Sequence, residues 1–84
     1  MNIYFHEFTS TCPNNGAVIA YELEIQSNTV IMVEEIIAAC AVDMTYHEEL
    51  ADRLYERFGG IQSMVAFHHG VRIQTVRPGR AVLK

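Results

Sequence analysis

From Ala17 to Ile25 the residues alternate with a period of two: Ala17, Ile19, Tyr21, Leu23 and Ile25 fall on one side, Val18, Ala20, Glu22 and Glu24 on the other. This is the pleat of a half-buried strand, and helical spacing does not reproduce it. The preceding stretch is turn chemistry. Pro13 cannot donate to a β-ladder and Asn14-Asn15-Gly16 suits a tight reversal, so Cys12 is expected in a loop at the mouth of the strand. A cysteine held there on a rigid scaffold is placed to react; the competing reading is a small apolar plug beneath the loop.

The other elements arrange themselves around this strand. Asn2 to Thr9, with Ile3, Tyr4, Phe5 and Phe8, reads as a first strand that pairs with Ala17 to Ile25. After the polar break Gln26 to Thr29, the apolar run Val30 to Val42 suits a helix capped by Asn28 or Thr29, with Cys40 in the core; the alternative is that its β-branched start extends the strand. Tyr46, Leu50, Leu54 and Phe58 recur at four-residue spacing and predict a second helix, Tyr46 to Phe58, with that stripe facing the core. Thr45 and Glu48 match a capping box, and Gly59-Gly60 supplies the stop. Ile61 to His68 and Val71 to Val76 alternate about His69-Gly70 as a hairpin, with His68-His69 at a solvent-facing tip. The order ββααββ belongs to the α+β class: a four-stranded antiparallel sheet with two helices on one face. Residues 1–79 form one domain, and 80–84 are a C-terminal tail carrying Ala81-Val82-Leu83.

Composition bounds the partners. Half of the 84 residues are hydrophobic, rich for so small a domain, so part of the apolar surface is expected to be covered by further copies of the chain. No apolar run approaches the roughly 20 residues of a membrane span, and the N-terminus lacks a basic start and apolar core, so a cytoplasmic protein is expected. Two cysteines without a framework spacing suit free thiols in a reducing compartment.

The net charge of −4 is uneven: nine of the ten acids lie at or before Asp52, and the six bases are Arg53, Arg57, Arg72, Arg77, Arg80 and Lys84. Contact with nucleic acid would therefore fall to Arg72, Arg77, Arg80 and Lys84, which are too sparse for a dedicated binding surface. The possible metal ligands His6, Cys12, Cys40, His47, His68 and His69 include no Cys-x-x-Cys or His-x-x-x-His spacing, so no metal centre is expected. No phosphate-cradling glycine loop is present.

Three segments together resemble one branch of the tunnelling-fold (T-fold) superfamily: Phe8-Thr9-Ser10-Thr11-Cys12-Pro13 before a strand, Tyr46-His47-Glu48-Glu49-Leu50 opening the second helix, and Gly70-Val71-Arg72-Ile73 in the closing hairpin. The branch is that of the QueF-type enzymes acting on the nitrile of 7-cyano-7-deazaguanine, and the likeness is nearest to the short QueF-like amidinotransferases of archaeosine formation. The resemblance implies that Cys12 is the nucleophile that forms a thioimide. It implies that Glu48 accepts hydrogen bonds from the amide and amino groups of a purine-like base, and that His47 is a second contact. It also implies a homo-oligomer with shared sites.

The chain departs from the family pattern in two ways. The acid that should follow the cysteine is missing from Pro13 to Ile19, and Glu22 and Glu24 lie further along on the other face. The Glu-Ser-Lys-Ser-Leu-Lys type stretch that engages NADPH is replaced by Thr29-Val30-Ile31-Met32-Val33-Glu34-Glu35. Amination without a cofactor is therefore expected rather than reduction. From the residues alone, Glu48 is equally a capping-box acid and His47 exposed helix surface. A non-catalytic purine binder, or an inhibitor or adaptor docking through the acidic first half, are the alternative functions.

Overall fold

In the computed structural model, which describes residues 1–79, the alternating stretch becomes β2, Val18–Ser27, paired antiparallel to β1, Asn2–Thr11. Two helices follow, α1 (Val33–Cys40) and α2 (His47–Phe58), then the hairpin of β3 (Ile61–His68) and β4 (Val71–Arg77). Every neighbouring pair is antiparallel and the sheet order is β1-β2-β3-β4, so the ββααββ topology is the one expected. The tail at 80–84 lies outside the described residues.

One face of the sheet builds the core. Ile19, Tyr21, Leu23 and Ile25 of β2 and Met64 and Ala66 of β3 are buried with Ile36 and Cys40 of α1 and Leu50, Ala51 and Leu54 of α2. Enclosing a side chain the size of Leu23 or Leu54 stabilises the fold by roughly 1.5–3 kcal/mol, and the helix pair exists to cover this face. α1 lies over β1, and α2 over β3 and β4. Among the described residues the opposite face carries no helix, and Ile3, Phe5, Val18, Ile61, Phe67 and Val76 are exposed on it.

Three local expectations need correction. α1 begins at Val33 with Met32 at its N-cap, not at Val30 behind Asn28 or Thr29. β-branched Val30 and Ile31 stay extended, and Ile31 is buried while its N–H donates to Tyr4 Oη at 2.9 Å. At α2 no capping box forms: Thr45 Oγ1 accepts from Arg53 Nη2 at 3.0 Å and donates to the Tyr46 carbonyl at 3.3 Å, leaving Glu48 free. Tyr46, placed on the core stripe by its spacing, is instead the exposed N-cap of α2.

The far end of α2 is held firmly. Gly59 ends the helix in the left-handed region, at φ 64. The buried Gln62 of β3 donates through Nε2 to the carbonyls of Leu54 at 3.0 Å and Gly59 at 2.8 Å. The Gly59 carbonyl lies just past the helix, and the Leu54 carbonyl takes this bond in addition to its intrahelical one. At Gly60, φ 69, a Cβ would collide with the Gln26 carbonyl, so the chain re-enters the sheet only through glycine.

Candidate functional site

Backbone pairing brings the Cys12 loop and the start of α2 together. Thr11 forms a parallel bridge with Met44: its N–H donates to the Asp43 carbonyl at 3.0 Å, and the Thr45 N–H donates back to the Thr11 carbonyl at 3.4 Å. α2 begins two residues after Thr45, so His47 and Glu48 open beside Cys12. The loop is closed by Cys12 N–H to the Ala17 carbonyl at 2.8 Å and Gly16 N–H to the Cys12 carbonyl at 2.9 Å. Asn15 Oδ1 accepts from the Ala17 N–H at 2.9 Å, the Asx geometry expected of turn asparagines. Tyr46 Oη donates to Asn14 Oδ1 at 3.0 Å, joining the N-cap of α2 to the loop.

Cys12, Tyr21, Tyr46, His47, Glu48 and His68 line a cavity of about 120 Å³ between these elements, with Ile19, Ala66 and Ile73 as apolar wall. The three residues singled out in the sequence, Cys12, His47 and Glu48, are therefore neighbours. Cys12 sits in a loop as expected but is only 4 % exposed, lining the cavity as part of the buried core. Glu48 is exposed on the first turn of α2.

His47 is half-buried, with Nε2 2.6 Å from Thr75 Oγ1. Burial holds its imidazole below the ordinary value, Glu48 opposing and Arg77 adding to the effect, so the ring is neutral at pH 7. Tyr21, 2 % exposed, stacks on Phe8 at 5.0 Å and 11° and meets the His47 ring at 5.6 Å and 38°. Burial pushes its phenol upward, with the charges of Cys12 and Glu48 adding to the rise.

Sequence reasoning missed Tyr21 and His68 as site residues. His68 was expected at a solvent-facing tip, yet its Nε2 is buried and lines the cavity; only His69, φ 52, and Gly70, φ 81, form the turn. The signal was available in the parity of β3, because Gln62, Met64, Ala66 and His68 share the inward face.

A larger, shallower hollow of about 400 Å³ lies on the helix-free side of the sheet, with Glu7 and Glu22 opposite each other in register. It holds no thiol and no histidine, so the smaller cavity is where the reactive groups meet. Among the described residues no three His, Cys, Asp or Glu side chains gather as a metal site would require. Arg72 and Arg77 lie on opposite faces of β4, and Arg77 Nε donates to Asp52 Oδ1 at 2.8 Å, so the two do not form one basic patch. Arg80 and Lys84 lie outside the described residues. No described helix is long and apolar enough to cross a membrane.

The fold itself has a solved counterpart. Neither a family model nor a curated protein sequence matches the chain. The architecture, four antiparallel strands in sequence order with a helix pair between the second and third, is shared with a solved structure. The chain is similar to the crystal structure of the archaeosine synthase QueF-Like in its apo form, with a TM-score of 0.65 and 17 % sequence identity over 89 % of this chain and 88 % of that one.

Proposed function

We propose that this protein acts on 7-cyano-7-deazaguanine, free or within a nucleic acid, by adding Cys12 to the nitrile and then aminating the resulting thioimide. The observation that carries the reading is the convergence of Cys12, His47 and Glu48 on one cavity within a fold shared with an archaeosine synthase. Cys12 Sγ bonds to the nitrile carbon while the nitrogen gains a proton, giving the thioimide. Ammonia then adds to the same carbon, the C–S bond breaks and the thiol is restored, leaving an amidine. No electrons are gained or lost, consistent with a chain that has Thr29 to Glu35 where a nicotinamide-binding stretch is expected.

Glu48, free of any capping role, is the carboxylate for two parallel N–H donors of a guanine-like edge. His47, neutral at pH 7, is a second contact. Pockets that enclose a small ligand run to about 300 Å³ or more, so 120 Å³ accommodates part of a bicyclic base. The remainder of the site comes from a second copy of this chain, and the apolar residues on the helix-free face favour such assembly.

A non-catalytic purine binder is the second reading, favoured by the near-complete burial of Cys12 and by Ile19 standing on the cavity wall. Calorimetry with 7-cyano-7-deazaguanine tests the binding common to both. Glu48→Gln should weaken it at least about tenfold, since hydrogen bonds to a charged group are worth about 1.5–3 kcal/mol. No affinity in the unaltered protein would remove both readings.

A further inference from the structure

Three residues lining this cavity each carry a buried polar atom with no hydrogen-bond partner among the described residues: Tyr21 Oη, His47 Nδ1 and His68 Nε2. A buried polar atom left unpaired costs about 1–3 kcal/mol, and native interiors carry few. Three around one small cavity mark a surface made to receive a polar ligand.

Tyr21 is the most enclosed of the three, 2 % exposed on the inward face of β2, an interior strand of the sheet. Its ring packs against those of Phe8 and His47, so its position does not depend on its hydroxyl. His47 differs, because its other ring nitrogen is already engaged by Thr75. From Pro13 to Tyr21 the chain has no carboxylate, and Ile19 is part of the cavity wall. Adding a thiol to a carbon–nitrogen triple bond requires a proton at the nitrogen as the carbon–sulfur bond forms.

We propose that Tyr21 is a catalytic residue whose hydroxyl donates that proton to the nitrile nitrogen and takes up the proton released by Cys12. The inference rests on the reading of Cys12 as the nucleophile. The step balances: a C–S bond and an N–H bond form, one C–N π bond and the S–H bond are lost, and the Tyr21 O–H is broken and remade. No electron is transferred and no reagent beyond the nitrile is consumed. The upward push on the phenol keeps Tyr21 protonated and ready to donate.

Tyr21→Phe removes the hydroxyl and keeps the stacked ring. Mixed with 7-cyano-7-deazaguanine and sampled over time by intact-protein mass spectrometry, it should form the Cys12 adduct about 100-fold more slowly than the unaltered protein, the usual scale of a lost proton donor. Alkylation of Cys12 by iodoacetamide needs no proton at a nitrile nitrogen, and its rate should stay within about threefold. The melting temperature should not fall, because no protein partner of the hydroxyl is lost.

Adduct formation at the unaltered rate would overturn the role of Tyr21 and leave Cys12 standing as nucleophile. Equal slowing of adduct formation and alkylation, or failure of Tyr21→Phe to fold, would overturn it in favour of a structural role. If the unaltered protein forms no adduct, the nucleophile reading fails and the proposal falls with it, distinguishable because the failure then precedes any substitution.

Discussion

Gln62→Leu tests how the helix that carries His47 and Glu48 is anchored at its other end. The side chain is 3 % exposed and its amide donates to two carbonyls near the end of α2, those of Leu54 and of the C-cap Gly59. Leucine has a similar volume and leaves the packing nearly intact, so the loss is that of the two hydrogen bonds. Each is worth about 1 kcal/mol net, and the Leu54 carbonyl keeps its intrahelical bond when the side chain is lost. The expected cost of losing both is about 2 kcal/mol.

Unfolding entropy near 2.1 cal/mol/K per residue over 84 residues makes each kcal/mol worth about 6 °C, so the melting temperature should fall by about 11 °C. Thermal unfolding followed by circular dichroism, at one protein concentration because self-association shifts the midpoint, measures this directly. Amide exchange should quicken near Tyr55 to Gly59 before it does near Leu50. A fall of less than about 3 °C would refute the argument that these bonds fix the helix end.

Other perturbations probe separate parts of the account. Gly16→Ala should cost about 1–2 kcal/mol for its left-handed backbone alone, whereas Gly60→Ala, which also meets the Gln26 carbonyl, should cost clearly more; urea midpoints of the two variants compare them. The imidazole of His47 is held below its ordinary 6.5, so the unfolded chain takes up that proton first. Stability present above pH 6.5 should therefore drain away as pH falls below it, and His47→Gln should flatten that slope in urea titrations. Cys40 is opposite in sense: burial pushes its thiol from 9.0 up to about 11, so stability should decline as pH rises above 9.0, and Cys40→Ala should remove that decline.

Much of this architecture was legible because strands declare their faces. The Ala17–Ile25 alternation placed β2 and identified Tyr21 as inward-facing, and the four-residue spacing of Leu50 and Leu54 placed α2. Where two physical effects compete, the pattern misled. Thr45-x-x-Glu48 has the form of a capping box, but Arg53, eight residues on, takes the threonine hydroxyl. Val30 and Ile31 were counted into a helix, although burial of Ile31 and the reach of the Tyr4 hydroxyl hold them extended.

Cys12, His47 and Glu48 emerged from a family resemblance; their meeting depends on the Thr11–Met44 bridge, a tertiary contact that no local spacing encodes. The roles open to Tyr21 and His68 depend on which polar atoms go without partners, and that is settled only when the whole core is assembled.

The central claim is that Cys12 is a nucleophile for a nitrile. Intact-protein mass spectrometry after incubation with 7-cyano-7-deazaguanine at neutral pH, on the unaltered protein, Cys12→Ala and Cys40→Ala, tests it most directly. The account predicts a gain of the full mass of the nitrile, since addition expels nothing, in the unaltered protein and Cys40→Ala and none in Cys12→Ala. An adduct that persists in Cys12→Ala, or none in any of the three, would contradict it.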